Sequence, residues 1–221
     1  MTLSLTTTRA LRFAEVLCDR DDTTLILPGD ARRELLLYAM AAANGITGTG
    51  WSLDHARDHV SVTLPGLDSP AALALLGAVP LVGPLLVGLA LKLRRPAIFL
   101  SPAAMRDPVE LVGTVQHERG HRGQIARGGL GWCLGYGLLS EVRAGAEAPC
   151  YGVSMAHRVR LGGASVDDVE RGALASLAAY GADDALVRGI IASNAETLRQ
   201  GGDPGGVVAE TLAELAALEG L

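Results

Sequence analysis

Residues 116–124 read Gln-His-Glu-Arg-Gly-His-Arg-Gly-Gln and contain the pattern His-Glu-x-x-His. His117 and His121 are four residues apart, so an α-helix would place both on one face, about one turn apart. Two neutral imidazoles in that arrangement can share one Zn²⁺ ion. Glu118 follows the first histidine, where its carboxylate could take a proton from a metal-bound water. The stretch therefore predicts a zinc site on a helix, with Glu118 as the general base.

The flanking residues predict where this helix begins and ends. Asp107 suits an N-cap, Pro108 suits the first helical position, and Glu110 suits the third position of a capping box. Gly128 and Gly129 predict the end of the helix, which gives it roughly 20 residues with no internal proline. The alternative is a charged, solvated helix that carries two histidines by coincidence.

The pattern His117-Glu118-x-x-His121 on a helix resembles the signature of the zincin metallopeptidases. Gln124 extends it to His-Glu-x-x-His-x-x-Gln, which is similar to several small bacterial and phage-encoded members. Residues 143–151, Arg-Ala-Gly-Ala-Glu-Ala-Pro-Cys-Tyr, resemble the Glu-Ala-x-x-aromatic stretch in which gluzincin-like members carry their third metal ligand. The resemblance implies a zinc cofactor, a peptide or protein substrate, and a zincin-like active-site helix beside a small sheet.

Three downstream residues are candidates for the third protein ligand, namely Glu141, Glu147 and His157. Glu141 and Glu147 are six positions apart, so one continuous helix would point them about 120° from each other. The resemblance favours Glu147, and the small Ala148 beside it would let two helices approach closely. Glu141 is the runner-up. Tyr151 lies one turn after Glu147, where it would either place its hydroxyl near the metal or serve as a packing residue.

The composition limits the class of protein. The chain has 221 residues, of which 49% are hydrophobic and only 4% aromatic, so its core must be built from Leu, Ala and Val. A net charge of −5 and a pI of about 5.5 argue against nucleic acid as a partner. Three cysteines without a Cys-x-x-Cys pattern predict buried thiols in a reducing compartment rather than a disulfide framework.

Residues 69–91 form an uncharged stretch that is long enough to cross a bilayer. Pro80, Pro84 and three glycines interrupt it, which leaves a membrane contact, a buried hairpin or an apolar docking loop as alternatives. The N-terminus shows no convincing secretory signal. The expected location is therefore cytoplasmic or membrane-associated.

The predicted fold class is α+β, mostly helical, with a small β-sheet beside the motif helix and C-terminal helices. We expect residues 1–160 to form a zincin-like metallopeptidase domain, with 69–91 as an apolar insertion, and residues 161–221 to form a helical region. His55 and His59 are interpreted as surface histidines rather than a second metal site. The predicted strands are 23–27, 60–64 and 97–100, and the predicted helices outside the motif are 8–19, 31–43, 166–180, 185–200 and 207–218.

The resemblance further implies that residues 97–100 form an edge strand beside the cleft, which could pair with an extended substrate backbone. An ordinary core strand is the alternative. The functional hypothesis is a zinc-dependent peptidase with His117, His121 and Glu147 as ligands and Glu118 as the base. The alternative is a membrane-associated or assembly protein with a structural or non-catalytic zinc site. A third, weaker idea is a metal-dependent hydrolase acting on a non-peptide amide.

Overall fold

The computed structural model describes residues 5–34, 36–37, 57–59, 61–64, 95–179 and 185–218. The chain is mostly helical and has a small three-stranded sheet, which confirms the predicted α+β class. It divides into two compact units. One consists of Glu15–Met105, and the other consists of Met1–Ala14 together with Arg106–Leu221.

The sheet lies in the unit Glu15–Met105 and consists of β1 (Thr24–Ile26), β2 (Val62–Leu64) and β3 (Ala97–Phe99). The strand order is β1-β3-β2, with β3 parallel to β1 and antiparallel to β2. All three predicted strands are confirmed.

The expectation that residues 97–100 form an edge strand is wrong. Ile98 is paired with Leu25 on one side and with Thr63 on the other, so both edges of β3 already have a partner strand. Ala97, Ile98 and Phe99 are all almost fully buried, as expected for a central strand whose side chains are covered on both faces. β3 therefore cannot add a substrate strand by β-augmentation.

Two N-terminal helices begin where the sequence predicts. Helix α1 (Thr7–Arg20) buries residues at the spacing of one helical face, namely Ala10, Phe13, Ala14, Leu17 and Cys18. Asp30 caps the next helical segment, because its Oδ1 atom accepts a hydrogen bond of 2.8 Å from the backbone N–H of Arg32. Residues 31–34 and 36–37 are helical, and the rest of the predicted helix 31–43 lies outside the described residues.

The motif helix begins as predicted, after the short helix α2 (Pro102–Arg106). Helix α3 (Pro108–Leu138) is capped by Asp107, whose Oδ1 accepts from the backbone N–H groups of Val109 at 2.7 Å and Glu110 at 3.1 Å. At Gly129 the backbone leaves helical geometry (φ 55°, ψ −148°), which confirms the predicted end of the first segment. The chain then resumes a helical course to Leu138 in a new direction.

The C-terminal helices are α4 (Ser140–Gly162), α5 (Val166–Ala179), α6 (Ala185–Arg199) and α7 (Val208–Ala217). The predicted domain boundary at residue 160 falls inside α4, so the helices after it belong to the same compact unit as the motif helix. The reason is that α4 packs against α3, α5, α6 and α7 together. Helix α4 also runs through Pro149 without ending there. The hydrophobic cluster among these C-terminal helices contains Ala144, Ala148, Met155, Ala156, Val169, Ala173, Leu177, Val187, Ile191, Ala195, Leu198 and Val208.

Two predictions concern segments that are partly or wholly outside the described residues. The apolar stretch 69–91 and His55 lie outside them. His59 is described and exposed, with its Nε2 atom 3.5 Å from a carboxylate oxygen of Asp58. Among the residues that the structure describes, no helix is both long enough and apolar enough to cross a membrane.

Candidate metal centre

The structure brings together the three residues predicted to bind metal. Helix α3 supplies His117 and His121, and helix α4 supplies Glu147. The two Nε2 atoms are 3.1 Å apart. His117 Nε2 lies 3.0 Å from one oxygen of the Glu147 carboxylate, and His121 Nε2 lies 3.3 Å from the other. Glu147 and His121 are 3% and 5% exposed, so the donor atoms meet away from bulk water.

These separations match those around a tetrahedral zinc ion. Zinc bonds of 2.0–2.1 Å to nitrogen or oxygen at tetrahedral angles place neighbouring donor atoms about 3.3 Å apart. The separations observed are 3.1 Å between the two Nε2 atoms, and 3.0 and 3.3 Å from these nitrogens to the two different oxygens of the Glu147 carboxylate. The donor set, two imidazoles and one carboxylate, is also one that zinc prefers. The residues present therefore fit a zinc ion.

Gln124 forms a hydrogen bond with Nδ1 of His121, the ring nitrogen other than the one that lies near Glu147. The Gln124 side-chain amide donates through Nε2 to the carbonyl oxygen of Ala146 at 2.8 Å. This bond turns Oε1 toward His121, where it lies 2.9 Å from Nδ1. Because Oε1 can only accept a hydrogen bond, the hydrogen must be on Nδ1. In the neutral ring, Nε2 then presents a lone pair toward Glu147.

His117 has a similar arrangement. Its Nδ1 atom lies 3.3 Å from Ser154 Oγ, which also lies 3.4 Å from the carbonyl oxygen of Gly113. When the Ser154 hydroxyl donates to the Gly113 carbonyl, its oxygen accepts a hydrogen bond from Nδ1–H of His117. The Nε2 atom of His117 then carries the lone pair, as in His121. Two lone pairs and a carboxylate within 3.3 Å repel each other unless a cation lies between them. The arrangement requires either a metal ion or a bound proton.

Without a metal ion, His121 and Glu147 have strongly shifted pKa values. Burial lowers the pKa of His121, but hydrogen bonds to Cys150 and Glu147 and the charges of Glu147 and Glu118 outweigh burial and raise it to about 12. Burial raises the pKa of Glu147, whereas hydrogen bonds and charge from His117 and His121 lower it well below the usual range. Without metal, the site therefore holds a proton on an imidazole next to an ionised carboxylate, and a metal cation would replace that proton.

Two aromatic residues that the sequence reasoning did not single out complete the surroundings. The Tyr136 hydroxyl donates a hydrogen bond to the Glu147 carboxylate. Trp132 is stacked on Tyr136, with ring centroids 4.9 Å apart, and its ring also lies 6.2 Å from that of His121. The Nε atom of Arg143 donates to the backbone carbonyl of Tyr136 at 3.0 Å. Their spacing of four residues in an aromatic-poor chain was the signal that could have identified Trp132 and Tyr136.

Tyr151 was predicted as either a hydroxyl donor near the metal or a packing residue. Its ring lies edge-on against that of His117, with centroids 5.1 Å apart, and it also packs against the core of the C-terminal helices. The described hydrogen bond from a tyrosine to the Glu147 carboxylate comes from Tyr136. The contacts of Tyr151 therefore favour the packing role.

Cys150 is a second neighbour of the site that the sequence reasoning treated only as a core thiol. Its Sγ atom lies 3.8 Å from His121 Nδ1, and burial raises the pKa of the thiol. His117, His121 and Cys150 have potential ligand atoms within 4.8 Å of one another, so they form an alternative metal-binding group. We favour the group with Glu147, because Cys150 faces the Nδ1 edge of His121 that Gln124 occupies, whereas the carboxylate faces both Nε2 atoms.

The three other residues that the sequence suggested for the site have different surroundings. Glu118 is buried, and its charge contributes to the raised pKa of His121. Glu141, the runner-up for third ligand, is exposed in the first turn of α4. His157 is fully buried, and its Nδ1 donates to the Val153 carbonyl at 2.8 Å while its Nε2 lies 3.0 Å from Thr211 Oγ1. Of the three candidates for the third ligand, the structure brings only Glu147 to the two histidines.

Comparison of the chain with protein families, with curated proteins and with solved structures finds no match in any of the three.

Proposed function

We propose that this chain is a zinc-dependent metallopeptidase whose zinc ion is held by His117, His121 and Glu147. The observation that supports this most directly is the convergence of two imidazole nitrogens and a carboxylate, with separations of 3.0–3.3 Å, at a buried point. A zinc ion held by these three residues would keep one coordination position for water or substrate, as catalytic zinc sites do.

The chemistry divides between the metal and the protein. When bound, zinc lowers the pKa of a coordinated water and withdraws electron density from a substrate carbonyl. Glu118 accepts the proton that the attacking water loses and passes it to the nitrogen of the leaving amine, while the carbon–nitrogen bond of the peptide breaks. Glu118 is 5% exposed, and its charge acts on His121, the second histidine of the motif. The resemblance of residues 116–124 to the zincin signature supports a peptide bond as the substrate.

The test combines zinc content with peptide hydrolysis in the purified full-length chain. We expect about one zinc per chain and cleavage of at least some members of a fluorogenic peptide library. Glu118→Gln should retain zinc and lose at least about 100-fold in kcat, the usual contribution of a general base. Glu141→Gln is the matched control, because this glutamate is exposed and should leave both readouts unchanged. Hydrolysis retained in Glu118→Gln, or wild-type protein that takes up no zinc, would overturn the proposal.

A structural zinc site is the second candidate. It is favoured by the alternative group, in which the buried Cys150 lies with His117 and His121 inside 4.8 Å. A fourth protein ligand would close the site to water and remove the catalytic position. The variant Cys150→Ser separates the two proposals. Zinc content and hydrolysis that survive this change support the peptidase, whereas loss of zinc supports a closed site in which Cys150 is a ligand.

A further inference from the structure

Gln124 links the two helices that supply the metal ligands. It lies on α3, three residues after His121, and its Oε1 atom is 2.9 Å from Nδ1 of that histidine. Its Nε2 atom donates to the carbonyl oxygen of Ala146 on α4 at 2.8 Å. Ala146 directly precedes Glu147, so a single amide contacts one ligand and the backbone next to another.

The orientation of this amide follows from its partners. A backbone carbonyl can only accept a hydrogen bond, so the NH₂ group of Gln124 must face Ala146 and the oxygen must face His121. The same NH₂ group lies 3.7 Å from Cys150 Sγ, a weak acceptor on the same side. Reversing the amide would place an oxygen against a carbonyl and an NH₂ group against the hydrogen on Nδ1. Gln124 therefore has one favourable orientation, and that orientation requires hydrogen on Nδ1 of His121.

We propose that Gln124 is a positioning residue of the zinc site, which holds His121 with Nε2 directed at the metal and fixes the α4 turn that carries Glu147. The inference rests on the proposed zinc site and assigns to Gln124 a role in metal affinity. A hydrogen-bond partner on the outer nitrogen of a ligating histidine fixes its tautomer and ring orientation, and its loss typically weakens metal binding about 10–100-fold. The bond to Ala146 adds a constraint on the distance between the ligands of the two helices.

The test measures zinc affinity by competition with a chelator at neutral pH, using the full-length chain. Gln124→Leu removes both hydrogen bonds, and we expect its Kd for zinc to rise about 10–100-fold. Gln124→Glu keeps an oxygen for Nδ1–H but removes the donor to Ala146, so its Kd should lie between those of wild type and Gln124→Leu. Gln200→Leu is the matched control, because this exposed glutamine bonds only to Glu196 among the described hydrogen bonds and should leave the Kd unchanged.

A second readout separates positioning from mere stabilisation of the fold. In the zinc-bound protein labelled with ¹⁵N-histidine, the Nδ1–H signal of His121 should be protected from solvent exchange in wild type and in Gln124→Glu. The same signal should exchange rapidly in Gln124→Leu. A purely structural role would lower the unfolding temperature of Gln124→Leu while leaving this signal and the Kd as in wild type, and that result would overturn the inference.

The outcomes also distinguish this inference from the proposed activity. If wild type binds zinc and Gln124→Leu binds it within about twofold as tightly, the positioning role is wrong and the peptidase proposal is unaffected. If Gln124→Leu weakens zinc binding but Glu118→Gln still hydrolyses peptides, the positioning role is supported and the peptidase mechanism is wrong. If wild type binds no zinc, both are wrong.

Discussion

Replacing Gly120 by alanine tests how closely α3 and α4 must approach at the metal centre. Gly120 lies inside the motif, one residue before His121. A Cβ atom added there would lie 2.7 Å from Cys150 Sγ and 3.7 Å from its Cβ. Non-bonded heavy atoms prefer separations of about 3.5–4.0 Å, so the sulfur would have to move by about 1 Å. Cys150 is buried, and its short side chain has only one torsion with which to move.

The free energy of unfolding should therefore fall in Gly120→Ala. Overpacking of this kind costs about 1–3 kcal/mol, and the better helix propensity of alanine offsets about 0.5–1 kcal/mol of that. The net expectation is a loss of about 0.5–2 kcal/mol. Gly145 on α4 is the matched control, because among the described residues nothing outside its own helical backbone lies within 4 Å of its added Cβ. Gly145→Ala should gain about 0.5–1 kcal/mol, so the two variants should differ by about 1–3 kcal/mol.

Urea unfolding followed by circular dichroism, with chelator present, measures this difference without the contribution of bound metal. Adding Cys150→Ala to Gly120→Ala removes the sulfur and should restore most of the lost stability. The double-mutant cycle should then show a coupling of at least about 1 kcal/mol. Equal stability of Gly120→Ala and Gly145→Ala, or a cycle without coupling, would show that the Cys150 sulfur does not limit the side chain at position 120.

Three further predictions concern individual side chains. Glu147→Gln should lose the bound zinc, as measured by elemental analysis, whereas the same change at the exposed Glu141 should retain it. Tyr136→Phe removes the hydroxyl that donates to Glu147 and should raise the Kd for zinc about tenfold in chelator competition, with circular dichroism unchanged. His157 has a lowered pKa because burial disfavours its charged form, although the charge of Asp203 opposes this. The unfolded chain therefore takes up this proton first as pH falls below about 6.5, and stability is lost from there down to the folded pKa. His157→Gln should reduce that pH dependence in urea unfolding between pH 7 and 5.

Each of these predictions has a result that would contradict it. Zinc retained in Glu147→Gln would remove the carboxylate from the ligand set and favour Cys150. An unchanged Kd in Tyr136→Phe would show that the hydroxyl does not affect the metal. A pH dependence of stability that is the same in wild type and His157→Gln would place the responsible titration elsewhere.

Some predictions succeeded because they depended on a few neighbouring residues. The capping of α3 by Asp107 and the break at Gly129 follow from local hydrogen bonding and backbone freedom, and both are confirmed. The spacing of His117 and His121 places their Nε2 atoms together because one helical turn separates them. These features need no knowledge of the rest of the fold.

Other features depended on contacts between distant segments. The position of β3 in the centre of the sheet depends on which strands pair with it, and a short run of buried residues is compatible with either a central or an edge position. The predicted boundary at residue 160 lies inside α4, and α4 packs on helices from both sides of that position, which no local pattern indicates.

Local residues are enough to predict the motif helix, its start, its break and the shared face of its two histidines, because these follow from hydrogen bonds and spacing within one segment. Whether Glu141 or Glu147 meets the two histidines depends on which face of α4 packs against α3, and that packing brings Glu147 to them. The same packing brought Tyr136 to the Glu147 carboxylate and Gln124 to the carbonyl of Ala146. Such contacts cross between segments that meet only when the helices pack, and no local pattern in the sequence encodes the distance between them.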